Sequence, residues 1–363
     1  SGRAPKALSI EHIRKEGIEG DGLPNLSIHA ITIPGAARGW EDLVKKFGTM
    51  PLTEVLKDAI FYAENGYAVA PSYGAFWGSD YAQKFLSERP NTEDYVPNGK
   101  TPGAGDIARL PRLAKTFRTV AEEGADAYYK GDIAKKLVET IQAEGSLMSP
   151  DDLASHTTTW HEPITTDYKG YTVAEHPPNG QGLAALIALN IAEEWNLVDM
   201  AWDDPAKVHL MIEAMRLAFA DNKQYVADPA SNTAPLDFLL SKEYAAERRA
   251  MVSPDSAMSP PSYGAPINTS DTIYLCVVDG EGNACSFINS LYNGGTFGSG
   301  RAVKEYGFFL QNRGANFVLT EGHPNALAGG KRPYHTIIPG MLAKDGAPVM
   351  PFGVMGGQYQ ATG

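Results

Sequence analysis

The sequence predicts an α+β protein with helices in its first two thirds and antiparallel strands in its last part. Two observations carry this. Apolar residues recur at helical spacing up to about residue 225, and after about residue 270 the period changes to two, with Gly-rich turns between short runs. Helices first and strands later suggest interleaved layers, and argue against a parallel doubly wound sheet.

The elements follow in order. Residues 39–71 place Leu43, Phe47, Leu52, Val55, Leu56, Ile60 and Tyr62 at helical spacing, with Gly48 and Gly66 as stops. Two further helices are expected in 111–145, the second capped by Asp132 and ended by Gly145. In "SPDDLASH" (149–156), Ser149 is followed three residues on by Asp152, a capping box with Asp in place of Glu. After "PPNGQG" come two long helices, at about 181–195 and 205–225. Asp204-Pro205 begins the second, which places Val208, Met211, Ile212, Met215 and Phe219 on one face. Candidate strands are 272–278, 284–291, 306–311, 336–343 and 348–354.

Composition limits the function. The 363 residues are long enough for one large unit or two domains, and 43% hydrophobic with 20% charged residues is the profile of an ordinary globular chain. A net charge of −12 argues against a nucleic-acid partner, which needs a basic face for phosphates. No run approaches a membrane span, and the opening "SGRAP" carries no signal-peptide pattern. The two cysteines, Cys276 and Cys285, lie on opposite arms of a hairpin and are expected as buried thiols, since one possible pair is no disulfide framework. Two glycosylation sequons, at Asn25 and Asn268, signify nothing without a secretory signal.

The common catalytic signatures are missing: there is no phosphate-binding G-x-x-x-x-G-K-[ST], no G-x-S-x-G and no H-E-x-x-H. The eight histidines show no metal spacing, so metal catalysis is disfavoured and no cofactor is expected. What remains is a run of small, polar and glycine residues in the last quarter: Thr272, Ser290, "LQNRGANF" (310–317), "GGKRPYHT" (329–336) and "GVMGGQ" (353–358). Such loops let backbone N–H groups approach a ligand closely, as an oxyanion hole requires. Taken singly, each is as well read as a tight turn.

Taken in order, "PGAARGWEDLVKKFGTMPLTEVLKDAIFYAENGYAVAP", "PPNGQG", "DTIYLCVVDGEGNACSF", "FGSG", "KRPYHTIIPG" and "GGQ" resemble the γ-glutamyltranspeptidase family of N-terminal-nucleophile hydrolases, over nearly the whole chain. The resemblance implies a four-layer αββα sandwich spanning 1–363 as a single unit cut at both ends. It also implies self-cleavage between Asp271 and Thr272, giving a large-subunit part (1–271) and the beginning of a small-subunit part (272–363). Thr272 would be the nucleophile, and its freed α-amine, with a pKa of about 7.7–8.0, the adjacent base that a weakly nucleophilic hydroxyl needs. Ser290 stands where the family has a second hydroxyl that bonds the nucleophile. Gly356 and Gly357 would offer N–H groups to the oxyanion.

The substrate-binding positions depart from the family pattern. Arg313 and Asn316 replace the Glu/Gln and the carboxylate that hold the substrate ammonium, so a negative charge is lost and a positive one gained. Tyr334 and His335 replace paired serines, Tyr274 replaces a histidine, Arg3 maps near the arginine that binds the substrate carboxylate, and Asn293 joins the same set. The expected substrate is a γ-glutamyl amide of the glutathione type, with water or an amine as acceptor. Alternatives are a glutaryl or cephalosporin-type acylase with the same mechanism, and an unprocessed, non-catalytic member. Expected partners are the two parts of the precursor, or a dimer of these, with neither nucleic acid nor membrane span.

Overall fold

The computed structural model describes residues 2–231, 234–259, 270–293 and 297–363. Packing divides the chain into two units assembled from interleaved segments: Ser1–Thr159, Leu291–Ala315 and Ala328–Gly330 form the first, and Trp160–Ser290, Asn316–Leu327 and Lys331–Gly363 the second.

The first unit is mainly helical: α1 (Ile10–Lys15), α2 (Ala36–Phe47), α3 (Leu52–Val55), α4 (Lys57–Asn65), α5 (Pro71–Trp77), α6 (Asp80–Ser87), α7 (Pro111–Glu123), α8 (Ala125–Tyr129), α9 (Asp132–Gln142) and α10 (Pro150–Ala154). A short antiparallel pair, β1 (Tyr67–Ala68) with β2 (Ile107–Ala108), joins them. Ile133, Leu137 and Ile141 lie at i, i+4 and i+8 along α9 and are buried with Tyr129, Met148, Leu153, Val303 and Leu310.

Three sequence expectations change here. The 39–71 stretch keeps its expected stops, with α2 ending at Gly48 and α4 at Gly66, but a further break at Leu56 (φ −90°, ψ −3°) divides the part between them into α3 and α4, and Phe47 and Tyr62 face solvent. The 111–145 stretch is also three helices. Gly124 turns the chain between α7 and α8 at φ +80°, where a Cβ would come within 2.6 Å of Glu41 Oε1. The N-cap of α9 is Gly131, while Asp132 is its first residue and accepts from the Tyr306 hydroxyl at 2.9 Å. The capping box at α10 forms as expected: Ser149 Oγ accepts from the Asp152 N–H at 3.2 Å, and the Ser149 N–H donates to Asp152 Oδ2 at 2.9 Å.

The second unit contains β3 (Ile164–Tyr168), β4 (Tyr171–Glu175), α11 (Gly182–Ala192), α12 (Pro205–Tyr225), α13 (Leu236–Leu239), α14 (Lys242–Arg249), β5 (Ser270–Val278), β6 (Ala284–Asn293), β7 (Gly340–Lys344) and β8 (Ala347–Phe352). The last three residues of β6 pass into the first unit. An antiparallel sheet runs in the order β3-β4-β7-β8, and β5 and β6 form a separate two-stranded sheet. α11 packs on β3 and β4, with α12 and α14 against it. The protein is thus α+β.

α12 buries a different face from the one its apolar stripe suggests. Ala214, Leu217 and Ala218 pack against α11, and of the expected stripe Met215 and Phe219 are partly buried beside them, whereas Val208, Met211 and Ile212 are exposed. Small residues let the two helix backbones approach closely, and that contact outweighs the larger side chains. The hairpin β3–β4 falls within the part read as helical, although "ITTDYKGYTVAE" is rich in β-branched and aromatic residues around a turn at Lys169-Gly170, with φ of +51° and +82°. Residues 306–311 form only an isolated bridge, Ala302 to Phe309, and the strand expected from 336 begins at Gly340. Among the described residues no helix is long and apolar enough to cross a membrane.

Candidate active site

Strand alternation puts Thr272, Tyr274 and Cys276 on one face of β5 and Ile273, Leu275 and Val277 on the other, where all three are exposed. Thr272 Oγ lies 3.0 Å from Ser290 Oγ on the paired strand β6. The hydroxyl two residues along the same face is also engaged, with Tyr274 Oη 3.0 Å from Ser286 Oγ, which in turn donates to the Phe352 carbonyl at 3.2 Å. Burial is the main cause that raises the Tyr274 phenol above its ordinary value. Its ring fills the space beside Gly353, where a Cβ would come within 2.5 Å of Tyr274 Cε2. The hairpin is thereby fastened to the end of β8.

The chain then turns through Gly356 and Gly357, with φ of +132° and +60°, into the short 3₁₀ turn Gly357–Ala361, which lies beside β5. A buried chain of polar groups holds this turn. Gln181 Nε2 donates to the Gly357 carbonyl at 2.9 Å and to the Thr336 carbonyl at 2.7 Å. Gln181 Oε1 accepts from the Tyr334 hydroxyl at 2.8 Å, and Asn222 Nδ2 donates to that hydroxyl at 2.8 Å. Sequence reasoning missed Gln181 and Asn222. The polar "NGQG" ahead of an apolar helix was the available signal for the first, while Asn222 sits in helical periodicity that says nothing of its partner.

Tyr334 and His335 are buried, the first as above and the second with its N–H donating to the Asn179 carbonyl at 2.8 Å and its own carbonyl accepting from the Gln181 N–H at 2.9 Å. Arg3 Nη1 donates to the Gly330 carbonyl at 3.0 Å. Arg313 is 1% exposed, with its guanidinium 4.4 Å over the Tyr292 ring, so it is not a solvated surface cation. Asn316 accepts at its carbonyl from Asn325 Nδ2 at 2.6 Å. Asn293 ends β6, and the side chains of Asn293 and Asp271 lie outside the described residues, as do Asn268 and its sequon. Cys276 and Cys285 are free and exposed, which corrects the expectation of buried thiols: their strands form a two-stranded sheet with water-facing positions on both arms.

A buried carboxyl of the second unit is Glu175, at the end of β4. It is 2% exposed, and burial pushes its carboxyl up to about 8. Gly340 leaves room for it, since a Cβ there would come within 2.8 Å of Glu175 Oε1. Histidines scattered in sequence do meet: His161 and His176 lie edge to face with ring centroids 6.2 Å apart, and His12 and His29 converge on Glu16 in the first unit.

The sequence profile of the family described as gamma-glutamyltranspeptidase matches residues 1–363. The glutathione hydrolase-like YwrD proenzyme of Bacillus subtilis (strain 168) is 36% identical over 332 residues, 91% of this chain and 62% of that protein. The oxamate amidohydrolase proenzyme of Klebsiella pneumoniae is 34% identical over 337 residues, 91% of this chain and 62% of that protein. The crystal structure of cephalosporin acylase from Bacillus halodurans superposes with a TM-score of 0.90 at 40% identity, covering all of this chain and 66% of that one. The fold is therefore that of the N-terminal-nucleophile hydrolases. The chain belongs to the γ-glutamyltranspeptidase family. It spans about three fifths of the length of the curated relatives it matches.

Proposed function

We propose that the protein is a self-processing amidohydrolase that cleaves or transfers γ-glutamyl groups through an acyl ester on Thr272. The 3.0 Å approach of the Thr272 and Ser290 hydroxyls carries the reading. A hydroxyl nucleophile needs a neighbour that fixes its oxygen and accepts or supplies a hydrogen bond as charge moves. In the processing step Thr272 Oγ attacks the Asp271 carbonyl carbon and the Asp271–Thr272 C–N bond breaks. The hydroxyl proton passes to the departing α-nitrogen, and water hydrolyses the resulting ester to the Asp271 carboxylate and a free Thr272 hydroxyl.

In turnover the same oxygen attacks a substrate amide, and the α-amine of Thr272 takes the proton and returns it to the leaving amine. Water or an acceptor amine then releases the acyl group. The N–H groups of the Gly356-Gly357 turn would stabilise the tetrahedral oxyanion. The names of the relatives, which are proenzymes and amide hydrolases, support processing into two parts and this reaction class.

A second reading, removal of a glutaryl-type acyl group, is favoured by Arg313. A buried guanidinium at the position of the family's Glu/Gln, together with Asn316 in place of a carboxylate, suits a second substrate carboxylate better than an ammonium.

Intact mass under denaturing conditions with amino-terminal sequencing tests the first step. Two species, 1–271 and 272–363, the latter beginning Thr-Ile-Tyr-Leu, are expected, and a chain that stays whole on incubation overturns the nucleophile. Paired assays with γ-glutamyl and glutaryl anilides then choose the acyl group.

A further inference from the structure

We propose that His12, Glu16 and His29 form a binding site for a late first-row divalent cation of the zinc class, separate from the Thr272 chemistry. His12 and Glu16 are four residues apart on α1 and its C-cap, where the Glu16 N–H donates to the His12 carbonyl at 3.2 Å, so both side chains leave the same side of one helical turn. His29 comes from a separate short 3₁₀ turn, Ile28–Ala30, capped by Ser27 Oγ. Ile13 and Ala30, the neighbours of His12 and His29, are fully buried, and this fixes the backbone on both sides of the cluster.

Glu16 Oε1 lies 3.0 Å from His12 Nε2, and Glu16 Oε2 lies 2.6 Å from His29 Nε2. The ligand atoms of the three residues all fall within 4.8 Å of one another. His12 Nε2 is buried yet makes no well-formed hydrogen bond, because its approach to Glu16 is short but poorly directed. A buried ring nitrogen left in this state is costly as a hydrogen-bonding group and suited to a metal.

Two imidazole nitrogens and one carboxylate oxygen match the donors preferred by zinc and its neighbours, whereas calcium and magnesium call for oxygens alone. Metal–ligand bonds of about 2.0–2.2 Å in a tetrahedron separate ligand atoms by about 3.3 Å, so a small outward rotation of Glu16 would admit the ion. That side chain is 41% exposed and His12 31%, leaving the outer side open for ion entry and a water ligand. The bound ion would pin the end of α1 to the turn that carries His29.

The test is zinc titration of chelator-treated, desalted protein by calorimetry, with thermal melting of the same samples. One ion per chain at micromolar zinc, with a raised melting temperature, is expected. His12→Asn and Glu16→Gln alter partly exposed side chains, and each should weaken binding by at least about a hundredfold while the metal-free melting temperature holds. Calcium and magnesium should give no heat at the same concentrations. Absence of binding at micromolar zinc, or equal zinc affinity in the wild type and both variants, overturns the site. Should one variant fail to fold, the other decides. Either result leaves the Thr272 reading unchanged, since that reading is tested by chain cleavage.

Discussion

The Tyr334 hydroxyl and Gln181 Oε1 are joined by a 2.8 Å hydrogen bond, and the other end of the same amide donates to the Gly357 carbonyl at 2.9 Å. The Tyr334 phenol is thereby built into the support of the Gly-Gly turn. Both partners are buried, so water cannot replace a lost bond.

Tyr334→Phe should therefore cost about 1–3 kcal/mol of stability, because the Gln181 and Asn222 amides each lose a buried partner. Gln181→Leu should lower kcat by about tenfold with KM nearly unchanged, since the Gly357 peptide would no longer be held while the acyl pocket is intact. Steady-state kinetics of both variants check this. A change confined to KM would place Gln181 in substrate binding instead.

Thr272→Ala should leave a whole chain with no amide hydrolysis, and Thr272→Ser should still cleave and turn over. Gel electrophoresis over time and an anilide assay read the two effects. A cleaved Thr272→Ala chain would assign the cut to another group.

Ser290→Ala removes the hydroxyl 3.0 Å from the nucleophile. The loss of one hydrogen bond to a group that gains charge is worth about 1.5–3 kcal/mol, so cleavage and turnover should each slow by about 10–100-fold. Single-turnover rates measured on matured and unmatured protein separate the two effects. Equal rates in the wild type and the variant would exclude a role for Ser290.

Glu175 gives a pH prediction with a definite sign. Its folded value of about 8 lies above the ordinary carboxyl value, so the fold holds the proton more tightly than the unfolded chain does. Its contribution is fully present below the unfolded value of about 4.3 and is lost as pH rises through about 8, with an upper bound on the order of 5 kcal/mol. Melting temperature should fall between about pH 4 and 8 in the wild type and level off above that, and Glu175→Gln should flatten that fall. An unchanged slope in the variant would show that Glu175 does not carry it.

Much of the architecture could be read from periodicity and caps. Asp204-Pro205 and the Ser149–Asp152 box each mark a helix start that the fold keeps. The stripe on α12 misled because that helix is apolar on more than one face, and close packing through Ala214 and Ala218 decides which face is buried. The same limit applies at the site. Thr272 and Ser290 could be paired by likeness to a family, but the Gln181–Tyr334–Asn222 chain joins residues up to 153 positions apart through bonds no local pattern encodes. His12, Glu16 and His29 show the point again, since the helical spacing of the first two is visible and the arrival of the third is not.

The interleaving of the two units bears on what a cut between Asp271 and Thr272 would leave behind. The first unit combines Ser1–Thr159 with Leu291–Ala315, and the second contains Trp160–Ser290 together with Asn316–Leu327 and Lys331–Gly363, so each holds chain from both sides of that bond. Severing the bond would divide neither unit. The two polypeptides should co-elute through dilution and high salt and separate only in denaturant, because parting them would require both hydrophobic cores to open.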